Sequence, residues 1–138
     1  MKLTTNSQRI LAEMVKQDFI DTEAYSDEAQ FFDFFAAKQI MKRAELSDEE
    51  VEKGVLGSGS DGGCDAIYTL FNNAYVAEDA LDDITATKES SIEFVIIQAK
   101  RETSFGEDAL MKWKTTAGNL LEIGIDDAQY AGRYSEDI

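Results

Sequence analysis

The chain of 138 residues contains no histidine, no proline and one cysteine. Without histidine, neither a Ser-His nor a Cys-His nucleophilic pair can form, and a histidine-ligated zinc site is excluded. Cys64 on its own can form neither an internal disulfide nor a cysteine-based zinc site, and a single thiol fits the reducing cytoplasm in which we expect the protein. Catalytic chemistry is therefore left to carboxylates, amides, lysines and hydroxyls, and such oxygen-rich sets suit Mg²⁺ or Mn²⁺.

Long apolar runs are missing as well. No stretch approaches the roughly eighteen consecutive apolar residues of a transmembrane helix, so we expect no membrane partner. The first six residues lead into a polar helical pattern without the apolar segment of a secretory signal. There is no repeat, low-complexity tract or linker, which predicts one domain over residues 1–138. The last nine residues carry no evident structural stop, which suggests that the natural polypeptide continues into further domains.

Basic residues are scarce. Thirteen lysines and arginines stand against 28 aspartates and glutamates, a formal net charge of -15. Phosphate contacts need clustered Lys and Arg, so this charge argues against the chain gripping a nucleic-acid backbone by itself. The argument weakens if the chain is one domain of a longer polypeptide whose basic surface lies elsewhere.

Helical periodicity dominates the N-terminal half. Ser47 and Glu50 form a capping-box pattern, which predicts a short helix ending near residue 53. Two earlier serines are placed as caps of longer amphipathic helices. The first predicted helix is 8–20 after Ser7, with Ile10, Leu11, Met14, Val15 and Phe19 on the apolar side. The second is 27–43 after Ser26, with Phe31, Phe34, Phe35, Ile40 and Met41. The last begins at 106 or 107 and reaches 122, with Leu110, Trp113, Ala117, Leu120 and Leu121 inward.

The pattern changes to strands after a loop rich in glycine and serine at residues 57–63. Asn72-Asn73 is a good two-residue hairpin turn. Phe94 to Ile97 is a continuous apolar run, which predicts a strand buried on both faces. The predicted segments are strands 64–71, 74–76 and 92–98, with an acidic surface excursion over residues 78–89 between the last two.

Polar residues at two strand ends form the candidate site. If strands 64–71 and 92–98 pair antiparallel, Asp65 lies beside Gln98 and Lys100, whose side chains project from the same face. A carboxylate, the Gln98 amide oxygen, the Ala99 backbone carbonyl and waters are then a suitable set for one magnesium ion. Such an ion lowers the pKa of a bound water, and Lys100 orients the hydroxide or stabilises charge on a phosphate.

The residues 59–67, GSDGGCDAI, followed by 96–100, IIQAK, resemble the D…QxK signature of PD-(D/E)xK nucleases. They are most similar to the Mrr-like restriction branch and to the N-terminal region of abortive phage infection (AIPR) proteins. The resemblance spans roughly residues 29–121. It implies a restriction-endonuclease-like α/β core, with a small mixed β-sheet flanked by helices and a helical N-terminal lobe.

The resemblance also implies roles for individual residues. Asp65 and Gln98 would bind Mg²⁺ or Mn²⁺, and Lys100 would be catalytic. An acidic residue of the preceding helix often completes such sites; Asp33 fits that position best and Glu28 less well. The implied activity is hydrolysis of nucleic acid, DNA rather than RNA, in defence against phage, and a homodimer is the assembly suggested by analogy.

Two departures keep other interpretations open. Gln98 replaces a carboxylate and is a poorer metal ligand, and the strong acidity is unusual for a DNA-binding face. Asp65 has an alternative as a turn residue, Gln98 and Lys100 as the polar end of a strand, and Asp33 as a solvated helix position. Arg101 and Lys112 are either solvated charges or phosphate contacts. A non-catalytic interaction module on the same scaffold, or more remotely an acidic nucleic-acid mimic, are the alternative functions.

Overall fold

The computed structural model describes residues 5–57, 63–101 and 107–122. Within these residues, three α-helices precede a small sheet and a fourth follows it, in agreement with the mixed α/β prediction. Most of the predicted loop at 57–63, the start of the last helix at Gly106 and the C-terminal residues after Glu122 lie outside the described residues. The elements are α1 (Asn6–Thr22), α2 (Glu28–Met41), α3 (Asp48–Gly54), β1 (Ala66–Phe71), β2 (Ala74–Val76), β3 (Ile92–Ile97) and α4 (Glu107–Leu120), with short 3-10 helices at Lys42–Ala44 and Glu78–Asp83.

The N-terminal caps correct two predictions. Thr5, not Ser7, caps α1: its side chain accepts from the Gln8 N–H, and the Gln8 side chain accepts from the Thr5 N–H. This reciprocal pair satisfies two of the backbone donors that a helix start leaves without a partner, which a lone Ser7 cannot do. Asp27, not Ser26, caps α2 through the Ala29 N–H at 2.8 Å. A carboxylate is the stronger acceptor at the positive end of a helix.

The third helix begins where the sequence predicted. The Ser47 side chain accepts from the Glu50 N–H, and the Glu50 carboxylate accepts from the Ser47 N–H, so the predicted capping box is confirmed. The helix ends at Gly54, against which the ring of Tyr68 packs so closely that a Cβ on Gly54 would lie 2.2 Å from a ring carbon. Tyr68 also donates its buried hydroxyl to the Val51 carbonyl at 2.6 Å.

The three strands form an antiparallel sheet in the order β2-β1-β3. Asn72 and Asn73 make the predicted hairpin turn, and both adopt the left-handed backbone conformation, with φ of 49° and 66°. Asparagine tolerates that conformation better than most residues. The pairing of β1 with β3 runs from Phe71 opposite Ile92 to Ala66 opposite Ile97.

Only one face of this sheet is covered by the described residues. The covered face carries alternate residues of β1, all buried, and contacts α2 and α3. The prediction that β3 is buried on both faces is wrong there, because Ile92 and Phe94 are more than half exposed. The core consists of Val15, Phe31, Phe34, Ala37, Met41, Val51, Ala66, Tyr68, Leu70 and Ile97.

Several residues predicted to face inward are exposed. In α1 only Val15 is buried and Phe19 partly so, which leaves one narrow contact line with α2. In α4, Thr116 is buried, and its hydroxyl donates to the Lys112 carbonyl at 3.1 Å. Among the described residues, no helix combines the length and apolar character needed to cross a membrane. The exposed residues of those predicted sets are Ile10, Leu11, Met14, Ile40, Leu110 and Leu121.

Candidate active site

The pairing of β1 with β3 brings Asp65 to the end of β3, as the predicted antiparallel arrangement requires. The Asp65 N–H donates to the Ile97 carbonyl at 2.8 Å, which extends the ladder by one residue. The Asp65 side chain then accepts a 2.6 Å hydrogen bond from the Ala99 N–H through Oδ2. The Leu56 N–H donates to the Asp65 carbonyl at 2.9 Å, so Asp65 is also joined to the segment after α3. Backbone and side chain of Asp65 are thus both fixed.

Gln98 directly follows β3 and precedes Ala99, whose N–H binds Asp65. Its Nε2 donates to the Gly63 carbonyl at 3.0 Å. An amide nitrogen directed at a carbonyl assigns the orientation of the side chain, so Oε1 is the end that accepts hydrogen bonds or coordinates a cation. Gly63 has a φ of +84°, and a Cβ there would approach Gln98 Nε2 to 3.1 Å. A glycine is therefore needed two residues before Asp65.

Helix α4 brings Lys112 to this end of the sheet. The Cδ atom of Lys112 lies 3.7 Å from the position that a Cβ on Gly63 would occupy, and the Trp113 backbone nitrogen lies 3.5 Å from it. Lys112 itself is exposed. A cation predicted from sequence as a phosphate contact is thus near Gly63, whose carbonyl binds Gln98. Trp113 is partly buried, and its Nε1 has no hydrogen-bond partner among the described residues.

The two residues after Ala99 differ in their surroundings. Lys100 is exposed at the strand end. Arg101 turns towards α2, where its Nη2 donates to Glu28 Oε1 at 2.8 Å and its guanidinium carbon lies 5.8 Å from the centre of the Phe32 ring. Glu28, the weaker of the two metal-ligand candidates in α2, is thus paired with Arg101. Asp33 follows Phe32 in α2 and is half-buried.

The described residues include no group of three or more Asp, Glu, Cys or His side chains gathered as a metal site. The strand end provides instead one carboxylate, one amide and backbone carbonyls. These are hard oxygen donors of the kind that Mg²⁺ accepts, usually alongside waters and substrate phosphate oxygens. The donor set fits a water-rich magnesium or manganese site with a single firm protein carboxylate, Asp65.

Sequence reasoning missed two features of the site. The contact of Glu28 with Arg101 joins residues 73 positions apart, so no local sequence pattern predicts it. The sequence also did not predict the close approach of α4 to Gly63. The glycine-rich stretch before Asp65 was the available signal, because glycine is common where the chain needs a left-handed conformation or close packing.

No protein-family model matches the chain, and neither a curated protein nor a solved structure matches it. The resemblance to PD-(D/E)xK nucleases consequently stands on the residues around Asp65 and Gln98-Ala99-Lys100.

Proposed function

We propose that the chain is a divalent-metal-dependent nuclease domain with a restriction-endonuclease-like core, which hydrolyses phosphodiester bonds in DNA during defence against phage. The observation that carries the proposal is the 2.6 Å hydrogen bond from the Ala99 N–H to Asp65 Oδ2. It brings the carboxylate of one strand to the peptide between Gln98 and Lys100, the juxtaposition that a D…QxK site needs.

Mg²⁺ or Mn²⁺ is the ion that suits this donor set. Asp65 would hold it through its carboxylate, with the Gln98 amide oxygen and the Ala99 carbonyl as neutral donors and Asp33 as a candidate fourth. When bound, the ion would lower the pKa of a water molecule and offset charge on the phosphate. The described sheet is antiparallel, so the mixed sheet of a restriction-endonuclease-like core would need a further, parallel strand. That strand is part of the proposal.

Two lysines near the strand ends, Lys100 after β3 and Lys112 in α4, would contact the phosphates of the substrate. The ammonium group of Lys100 would donate to a phosphate oxygen and stabilise the negative charge that grows as water attacks phosphorus. The bond to the leaving oxygen then breaks, and that oxygen takes up a proton from solvent. Lys112 would contact a neighbouring phosphate, since it lies beside Gly63. Arg101, already paired with Glu28, is the second phosphate-contact candidate.

A cleavage assay on DNA and RNA with Mn²⁺ tests the reaction. We expect Lys100→Ala to lower the rate at least about a hundredfold, since a group that stabilises transition-state charge typically contributes 10² to 10³. Lys88→Ala removes an equally exposed lysine from the loop before β3 and should leave the rate unchanged. Cleavage that survives Lys100→Ala would contradict the proposed role.

A non-catalytic interaction module on the same scaffold is the second candidate. Two observations favour it: the net charge of -15 and the lack of three gathered acidic side chains among the described residues. Such a module would assemble with or regulate a larger defence protein and would need no ion at Asp65. It predicts that the thermal midpoint of unfolding responds to Mn²⁺ equally in the unaltered chain and in Asp65→Ala.

A further inference from the structure

Two ion pairs join the same helical segment to the same strand, one at each end. Arg43, just after α2, pairs with Glu93 at the start of β3. Glu28, in the first turn of α2, pairs with Arg101 just after β3. From Glu28 to Arg43 a helix rises about 22 Å, and from Glu93 to Arg101 an extended chain spans about 26 Å. The two segments are thus of similar length and run antiparallel.

The two pairs are matched in exposure but not in position. Their side chains are 43% and 44% exposed for Glu28 and Arg101, and 53% and 42% for Arg43 and Glu93. The Glu93 pair lies next to the hairpin end of the sheet, whereas the Arg101 pair directly follows Gln98-Ala99-Lys100. The Arg101 guanidinium also lies over Phe32, so both charge and ring contact hold it to α2.

We propose that Arg101 is a positioning residue: its contact with Glu28 and Phe32 holds the segment after β3 against α2 and so keeps the Ala99 N–H on Asp65. The backbone leaves the ladder after Ile97, and the segment after it is joined to the chain before β1 by two hydrogen bonds, from the Ala99 N–H to Asp65 and from Gln98 Nε2 to the Gly63 carbonyl. A tether at residue 101 limits how far that segment moves. The same tether would hold Lys100 in place for catalysis, and that part rests on the proposed function. The effect on the hydrogen bond from Ala99 to Asp65 does not depend on any activity.

Glu28→Gln is the decisive variant, because it removes the ion pair and leaves Arg101 in place. If Arg101 only bound phosphate, freeing it from Glu28 would raise affinity for nucleic acid. If it positions the strand end, Glu28→Gln lowers the cleavage rate constant kcat with little change in KM. Glu93→Gln is the control, since it breaks the matched pair at the far end of the same strand.

Amide hydrogen exchange at Ala99, followed by NMR on the full chain, tests the proposal without any activity. We expect exchange to become roughly two- to fivefold faster in Glu28→Gln and in Arg101→Gln, the range for loss of a partly exposed ion pair. It should be unchanged in Glu93→Gln. The charge-swapped double variant Glu28→Arg, Arg101→Glu should restore part of the protection.

The outcomes separate the two proposals. Faster exchange at Ala99 in both site-end variants supports positioning even if no nucleic acid is cleaved, in which case the nuclease proposal alone fails. Equal exchange at Ala99 in Glu28→Gln, Arg101→Gln and the unaltered chain would overturn the positioning role, whatever the activity. Equal acceleration in Glu93→Gln would overturn it as well, since the effect would then belong to general contact between α2 and β3.

Discussion

The two faces of the small sheet are built from the same strands but differ in burial. On the covered face, β1 and β3 supply buried residues that pack with α2 and α3 into one core. On the other face, residues of equal hydrophobicity are partly or largely exposed among the described residues. Side chains alternate along a strand, so one strand produces both surfaces. The covered face carries Ala66, Tyr68, Leu70, Val95 and Ile97, and the open face carries Ile67, Thr69, Phe71, Ile92, Phe94 and Ile96.

This difference shows that apolar residues in a strand do not all stabilise the fold equally, because only those on the covered face are removed from water. Burial contributes about 25 cal/mol for each Å² of apolar surface removed from water, so the covered face carries most of the stabilisation that the sheet receives. The candidate site lies where the strands end, and the register of β1 with β3 determines the positions of Asp65 and Ala99. We therefore expect stability to depend on one face and site geometry on the strand ends.

The largest expected effect comes from two isoleucines at opposite ends of β3. Ile97 is 4% exposed on the covered face, and Ile92 is 53% exposed on the open face. Ile97→Ala should lower the free energy of unfolding by about 2 to 5 kcal/mol, through lost burial and a cavity. Ile92→Ala should cost less than about 1 kcal/mol. Urea titration measures both, and equal losses would break the distinction between the faces.

Gly54 sharpens the comparison because it tests how tightly the covered face is packed. A methyl group on Gly54 would overlap the ring of Tyr68, which is buried and cannot move away. Gly54→Ala should destabilise by about 3 kcal/mol. Gly118→Ala is the control: among the described residues, no atom outside its own helix turn lies within 4 Å of its Cβ position, so the change should stabilise by up to about 1 kcal/mol. Thermal unfolding of the two variants should shift in opposite directions.

The Tyr68 hydroxyl tests a polar contact within the same core. Tyr68→Phe leaves the Val51 carbonyl without its buried donor and should cost about 1 to 2 kcal/mol. Tyr25→Phe removes a hydroxyl that donates to Glu52 in an exposed setting, and its cost should be within about 0.5 kcal/mol. Chemical denaturation at pH 7 measures both. If Tyr25→Phe costs more than Tyr68→Phe, buried polar contacts do not dominate here.

Alkaline pH tests the same two tyrosines through the ionisation of their hydroxyl groups. Burial raises the pKa of Tyr68, and burial together with Glu52 raises the pKa of Tyr25, above the ordinary value of 10. The folded chain keeps these protons while the unfolded chain releases them. Their stabilisation is thus complete below pH 10 and declines above it, by up to about 1.4 kcal/mol per pH unit for the buried Tyr68 and by much less for Tyr25, whose hydroxyl is screened by solvent. In Tyr68→Phe the decline between pH 10 and 11 should be shallower; an identical slope would remove Tyr68 from the explanation.

The sequence predicted those features that depend on neighbouring residues. The Ser47 capping box and the Asn72-Asn73 turn follow from local patterns. The antiparallel pairing of β1 with β3 was the condition for placing Asp65 beside Gln98, and the structure meets that condition. The exposed face of β3 was not predictable, because an apolar run of four residues does not reveal which layers are present. The caps at Thr5 and Asp27 were missed because several residues that can cap a helix stand side by side.

The candidate site divides in the same way. Asp65 and Gln98 are near each other because each stands one residue beyond the last pair of the β1-β3 register, Ala66 opposite Ile97. The contact of Arg101 with Glu28 and the approach of Lys112 to Gly63 depend on how helices lie against the strand ends, which no spacing in the chain encodes. The structure pairs Glu28 with Arg101, a contact that the sequence did not predict, and the role of Glu28 as a metal ligand stays a prediction.

The most direct test of the nuclease proposal is calorimetric titration of Mn²⁺ into the unaltered chain, Asp65→Ala and Asp82→Ala. A chain with a net charge of -15 binds divalent ions loosely at many places, so the control removes one exposed aspartate of the 3-10 helix and leaves Asp65 intact. The account predicts one saturable site in the unaltered chain and in Asp82→Ala, and its loss in Asp65→Ala. Three identical isotherms would contradict a metal centre at Asp65 and favour the interaction module.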